Sequence, residues 1–346
     1  MSQSSANGQT LRFWARREFK LLDLIPVQVL THLVTRYANV HDGAFHPATD
    51  DPDWAESSCF TVSVPERDIN GFIYYFHDAR CGITGGGPAL WDPTGEQPYD
   101  CLFYDWRWRQ PPTGPIEFDD FTMPNGLRHR VIERSFRYRL EYSQLGLDFA
   151  LEWTALMAPH QLGPADDSAG HFDQPGRMTG TLTLDGEHLD IDCYSIRDRT
   201  WGPHRPGAPR SGDYLWAVAS PEDHWHAITM ESRTQGVDKV VGGYLFAEGR
   251  LGELVRGERR VDARRDHAPA HVVVEAVDDH GRTLHAEGEV RTALRWLGWP
   301  GRLTYWTLTD WRWNGVRGWG ENQEFHARER VRNSLVKREP GQSLGL

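Results

Sequence analysis

The chain has 346 residues and a mass of 39.6 kDa, enough for two domains that each bury a core, or for one large one. Its 38 Lys and Arg stand against 49 Asp and Glu, a formal charge of −11, which opposes broad electrostatic attraction to nucleic acid or to an anionic membrane. The four cysteines, Cys59, Cys81, Cys101 and Cys193, form no Cys-x-x-Cys pair, so free thiols in a reducing compartment and no disulfide are expected.

The opening stretch MSQSSANGQT is polar and lacks the basic and apolar regions of a secretory signal, so a cytoplasmic location is expected. The longest apolar run, Leu21 to Val34, contains Asp23, Pro26, Gln28 and His32 and falls short of the roughly 20 residues of a bilayer-spanning helix. Leu22, Ile25, Val29, Leu33 and Tyr37 follow a near-helical spacing, which predicts a helix over 18–38 started or interrupted near Pro26. Its expected role is to cap a barrel; a lid or membrane-surface role is the alternative. From residue 58 onward alternating segments recur with turn residues between them, among them Ser58 to Val64, Val131 to Tyr142, Met178 to Leu184, Tyr214 to Ala219 and Leu303 to Asp310. No run reads as a βαβ unit, so the expected fold class is all-β, sandwich or barrel, rather than a nucleotide-binding α/β sheet.

Fifteen Trp are more than an ordinary core needs, and indoles suit the walls of an apolar cavity that stabilises positive charge. Tyr104-Asp105-Trp106-Arg107-Trp108 is echoed by Thr309-Asp310-Trp311-Arg312-Trp313. In a strand each copy places its two indoles on one face and its Asp and Arg on the other, so each is expected to point an indole pair inward over an ion-pair face. The echo suits two similar β domains at 40–160 and 170–335 behind an N-terminal segment 1–39, with the polar stretch Ala158 to Ala169 as linker.

The segment from His171 to Arg205 carries the chemistry. Asp198 stands three residues before Trp201-Gly202 at the end of a strand-like run, with Tyr194 upstream. To protonate an alkene its carboxyl must stay neutral near pH 7, which burial among apolar groups favours. Arg197 and Arg199 would do the opposite, unless alternation turns them to the other face. The competing reading has Asp198 paired with Arg197, Arg199 or Arg205 to brace a turn. His204 follows the motif and is a candidate substrate-binding residue. In His224-Trp225-His226 both imidazoles share one side of a strand with Ile228 and Met230, which suggests a barrel interior. They are read as cavity-lining, water-positioning or structural histidines, and no metal is expected because no third ligand stands at a telling distance. Glu321, after the second Trp-rich strand, is a candidate base, or a surface acid paired with Arg328 or Arg330. Gly85-Gly86-Gly87 lacks the Gly-Lys-Ser/Thr ending of a phosphate-binding loop, no Gly-x-Ser-x-Gly elbow occurs, and the Asp50-Asp51-Pro52-Asp53 stretch lacks an EF-hand pattern.

Asp198-Arg199-Thr200-Trp201-Gly202 resembles the Asp-x-x-Trp-Gly signature of the carotenoid 1,2-hydratase (hydroxyneurosporene synthase) family and its AttH-type relatives. Gln174 to Arg177, Ser195 to Pro203 and Trp319 to Glu321 match bacterial members of the wider group. The resemblance implies two tandem lipocalin-like β domains and, in the hydratases, an Asp that protonates an isoprenoid double bond to a carbocation captured by water, beside a His and aromatic groups. Asp198 then inherits the acid role and His171 the histidine. Asp173 stands where the family has Trp, and Ile196 where it has Tyr. The expectation is a hydratase, dehydratase or isomerase of an apolar isoprenoid-like substrate without organic cofactor. Asp198, His171 and Glu321 are its catalytic candidates. Trp201, His204, His224, His226, Tyr194 and Trp311 are its substrate-binding candidates. A non-catalytic carrier of an apolar small molecule and a pericyclase-like cyclase stay open as alternatives, as does a homodimer.

Overall fold

The computed structural model describes residues 42–203, 212–231, 237–299 and 301–327. The helix expected over 18–38, and His204, Arg205, Arg328 and Arg330, lie outside the described residues.

The described chain is all-β apart from one 3-10 turn at Pro65–Arg67. Its first half runs β1 (Trp54–Val64), β2 (Ile69–Asp78), β3 (Ile83–Trp91), β4 (Phe103–Tyr104), β5 (Arg107–Gln110), β6 (Asp120–Thr122), β7 (Arg128–Glu133), β8 (Arg137–Gln144), β9 (Leu147–Ala155), β10 (His160–Gln161), β11 (Gly170–Leu184) and β12 (Glu187–Pro203). These form one sheet ordered β4-β3-β2-β1-β12-β11-β9-β8-β7-β6, with β5 beside β3 and β10 beside β11. A closed barrel follows, made of β13 (Gly212–Ser220), β14 (Asp223–Glu231), β15 (Asp238–Ala247), β16 (Arg250–Arg265), β17 (Ala268–Asp278), β18 (Thr283–Trp299), β19 (Arg302–Trp313) and β20 (Val316–Ala327). This is the tandem lipocalin-like arrangement. Two-residue hairpins explain why the long strands keep register: Asp185-Gly186 and Asn314-Gly315 have positive φ at both positions, the geometry whose twist matches the flanking strands. No helix among the described residues is long and apolar enough to cross a membrane.

The junction between sheet and barrel differs from the expected 158–169 linker. β11 and β12 pair with each other and with β9 and β1, so they complete the first sheet, and the crossing to the barrel comes after Pro203. The 158–169 stretch instead folds back over this sheet, where the Trp201 and Trp54 indoles donate to the carbonyls of Asp166 and Ser168 at 2.6 and 3.2 Å. A polar, turn-rich stretch marks a loop without marking a domain boundary.

Strand alternation gives the sheet two buried faces. One carries Phe60, Tyr75, Tyr138, Trp153 and Met178 in the sheet's own core. The other carries Phe72, Tyr74, Phe76 and Trp91, which pack on Leu294, Trp296 and Trp306 of the barrel, with Phe72 and Trp306 rings 4.6 Å apart. The barrel is filled by Leu215, Trp225, Val272, Val274, Trp311 and Trp313.

The two echoed pentapeptides therefore do different work. Trp311 and Trp313 point into the barrel, whereas Trp106 and Trp108 lie on the outer face toward Trp296 and Trp299. Asp105 pairs with Arg107, but Asp310 takes Arg317 across the hairpin, at 2.7 Å, and leaves Arg312 exposed.

Candidate active site between sheet and barrel

β12 sorts the Ser-Ile-Arg-Asp-Arg-Thr-Trp motif into two environments. Arg197, Arg199 and Trp201 point into the sheet's core and Tyr194, Ile196, Asp198 and Thr200 point toward the barrel, as alternation requires. The two guanidinium groups are fully engaged on the inner side. Arg197 binds Asp42 at 2.6 and 2.9 Å and Gln174 at 3.2 Å, and Arg199 binds Asp42 at 2.8 Å and Glu56 at 2.7 Å. Arg197 also lies 4.2 Å over the Tyr138 ring, and Arg199 4.1 Å over Phe118. Asp42 and Glu56 answer the arginines, so Asp198 pairs with neither of them.

On the barrel-facing side the register builds a row. Tyr74, Cys59, Asp198, Asp173 and His160 stand opposite one another across β2, β1, β12, β11 and β10. One step along, Thr200 faces His171. The barrel presents a matching row, Glu321, Trp216, His226 and Tyr244, across β20, β13, β14 and β15. The rows meet at both ends. Cys59 lies within the electrostatic reach of both Asp198 and Glu321, His226 Nε2 is 3.7 Å from Asp173 Oδ2, and the His160 and Tyr244 rings are 4.8 Å apart. Trp216 stands between Glu321 and His226 in its row, and Tyr214 lies within the electrostatic reach of Asp198 and Asp173.

The carboxyls in this cleft have been driven apart. Asp173 is buried, receives the Tyr214 hydroxyl at 2.5 Å and faces His171 Nε2 at 3.1 Å. Burial alone would raise it, but His171, His226 and these hydrogen bonds hold it down at about 2. His171, whose Nδ1 is 2.6 Å from Thr200 Oγ1, would be lowered by burial but is carried up to about 9 by Asp173 and Asp198. Asp198 goes the other way: burial first, then the Asp173 charge, raise it to about 7 against the pull of His171, the Cys59 N–H and Arg197. An ionised Asp173, a protonated His171 and an Asp198 divided between its neutral and ionised forms thus coexist near neutrality, the pattern of split carboxyls that separates an acid from its supporting charge. Asp198 and Thr200 are only half-buried and His171 keeps 26% of its side chain exposed, so the row opens to solvent at this end.

Glu321 is fully buried, and burial raises it to about 7 against side-chain donors that include Asn70 at 2.8 Å, Gln323 at 2.8 Å and the Trp216 indole at 3.2 Å. It is not a surface acid. His224 and His226 face the sheet, not the barrel interior, because Trp225 and Ala227 between them fill that interior. His224 stacks on Phe246 at 4.7 Å, and burial pushes the two imidazoles down to about 3 and about 4. Tyr194, half-buried, packs on Ile196, Tyr214 and Trp216 on the Asp198 face.

Asp198, His171, Glu321, Tyr194, His224 and His226 are thereby brought to the one interface between sheet and barrel. Trp201 is not: three residues from Asp198 along a strand it leaves from the opposite face, where it stacks on His46 at 4.1 Å. Trp311 lies edge-on to Trp225 at 4.9 Å in the barrel core. Tyr74, Asp173, Tyr214, Trp216 and Asn70 belong to the cleft without having been singled out for it. For Asp173 a signal exists, since His-x-Asp in a strand puts both groups on one side; the others are ordinary alternating hydrophobics and a turn-proximal Asn until the barrel is set against the sheet. Among the described residues no group of three or more His, Cys, Asp or Glu is arranged to hold a metal ion.

The fold is shared with solved structures of low sequence identity. A protein of Nitrosomonas europaea described as AttH matches 80% of this chain and 97% of its own at 12% identity and a TM-score of 0.50. Kievitone hydratase from Nectria haematococca matches 79% and 88% at 13% identity and a TM-score of 0.52. No curated protein matches the sequence. A family model described as a domain of unknown function, DUF7064, matches residues 39–326, and the chain belongs to that family.

Proposed function

We propose that the protein is an acid catalyst of hydration, dehydration or double-bond isomerisation on an apolar, isoprenoid-like alkene. The observation that carries this reading is Asp198, a carboxyl lifted to about 7 in a half-buried position beside a carboxylate, Asp173, that is already ionised. Asp198 gives its proton to one alkene carbon: the O–H bond breaks, a C–H bond forms and the other carbon becomes cationic. Trp216, beside Glu321 and His226 in the barrel row, offers that cation a π face, a duty that Trp201 on the opposite side of the strand does not perform. Water captures the cation and passes its extra proton to Glu321, or an adjacent C–H is lost to the same base, which yields the isomer. Burial is what keeps a proton on the acid before substrate arrives; the Asp173 carboxylate assists it and His171 opposes it. The same architecture carries a hydratase in Nectria haematococca, an analogy at the level of fold.

The test is turnover of terpenoid alkenes and alcohols in deuterated water. Wild type is expected to place deuterium on carbon, and Asp198→Asn to slow this by roughly 100-fold or more, the usual contribution of a positioned general acid. Ligand recovered bound and unlabelled from wild type points to a carrier. Equal rates for wild type and Asp198→Asn, with large losses on changing the cleft aromatics, point to a cyclase that shapes its substrate without moving a proton.

A further inference from the structure

His226, like His224 two residues before it, brings unsatisfied ring nitrogens to the sheet–barrel interface. It is completely buried, yet neither Nδ1 nor Nε2 has a hydrogen-bond partner, although the polar groups around it are already committed. Tyr214 has given its hydroxyl to Asp173, Asp173 takes His171 as well, and the Trp216 indole goes to Glu321. A buried donor and acceptor left unmatched cost free energy that the fold normally avoids. The imidazole is held in place by ring contacts, 4.6 Å to Tyr214 and 5.9 Å to Tyr244. It lies in the barrel row one strand away from Trp216.

We propose that His226 anchors a hydroxyl group of the substrate, so that the molecule processed is an unsaturated alcohol and not a bare hydrocarbon. A neutral imidazole offers one N–H and one lone pair on different edges of the ring, and with Nε2 turned toward Asp173 at 3.7 Å a hydroxyl answers Nδ1. His226 is suited to this because it stays neutral: burial lowers it, His160 and His171 add to that, and the Asp173 attraction is too small to restore its charge. Adjacent strands are about 4.8 Å apart, so the anchored oxygen lies about one strand spacing from the double bond whose cation Trp216 faces. The placement of that bond rests on the function proposed above; the anchoring itself does not.

Farnesol and farnesene, which share a chain and differ in the hydroxyl, separate the two cases. Each is titrated into the full-length protein and binding is read from tryptophan fluorescence. Without an anchor the alcohol binds more weakly, since burying an unpaired hydroxyl is unfavourable. With His226 present farnesol is expected to bind roughly fivefold tighter than farnesene, the scale of one net hydrogen bond. In His226→Leu the order reverses while farnesene affinity holds, which also shows that the cleft is intact, and His226→Gln recovers part of the preference. Equal or weaker binding of farnesol by wild type, no binding of either probe, or a preference that survives in His226→Leu overturns the proposal. Asp198→Asn is expected to keep the preference. A wild type that prefers farnesol but places no deuterium on any alkene sinks the acid mechanism and leaves the anchor standing; deuterium transfer without the preference does the reverse.

Discussion

Asp198 carries a cost that shows in the pH dependence of stability as well as in activity. Its folded-state value of about 7 lies above the ordinary 3.8, so between these values the folded chain binds a proton that the unfolded chain has lost. Stability from this group is full below about 4 and is lost as pH rises through 7. Asp173, held at about 2, works in the opposite sense: its contribution is present above the ordinary value and lost as pH falls toward 2. Asp198→Asn removes the first effect and spares the second. The variant is expected to unfold at higher denaturant concentration than wild type at pH 8, by on the order of 2 kcal/mol, and to match it near pH 4. The same ionisation predicts that alkene protonation by wild type falls as pH passes about 7. Denaturant melts at the two pH values and a pH–rate profile check both; a wild type whose stability advantage at pH 4 over pH 8 is shared by Asp198→Asn removes Asp198 as the cause.

At the scale of the element, β12 explains why an acid between two arginines can stay neutral. Alternation sends Arg197 and Arg199 to a closed charge cluster with Asp42 and Glu56, and the backbone between them carries Asp198 to the other side. The arginines therefore belong to stability. Arg197→Ala leaves Asp42 buried with one guanidinium where it had two, and breaking a buried pair in this way costs about 3–5 kcal/mol. The midpoint of urea unfolding is the measurement, and Asp198→Asn, measured beside it at neutral pH, should move the other way. The motif was legible as a strand with two faces, and the His-x-Asp spacing as two groups on one side. The partners were not legible, because Asp42 lies 155 positions before Arg197 and Asn70 lies 251 before Glu321. No local pattern reports contacts at such separations.

Across the whole molecule, the candidate site is assembled only while the sheet and the barrel are held together. The aromatic contact does that: Phe72 touches Trp91, Trp106, Trp296 and Trp306 with ring centroids 4.6 to 6.0 Å away. Phe72→Ala is expected to cost about 3–5 kcal/mol and to split a single calorimetric transition into two, as sheet and barrel lose their coupling. Turnover should fall with it, because Glu321 and Trp216 would no longer be fixed against Asp198. A single transition retained at lower temperature would place the coupling elsewhere.

Local patterning set the strands, their turns and the two faces of each, because alternation and positive-φ hairpin residues act over a few positions. It also carried the Asp198 motif. Which face is inward came from long-range packing: His224 and His226 turn out of the barrel and Trp225 into it, Trp201 turns away from Asp198, and β11 and β12 join the first sheet. That packing also decided which carboxyls keep their protons. Period-2 patterning is symmetric between the faces of a strand, and a pKa follows from burial and charges that distant segments bring together.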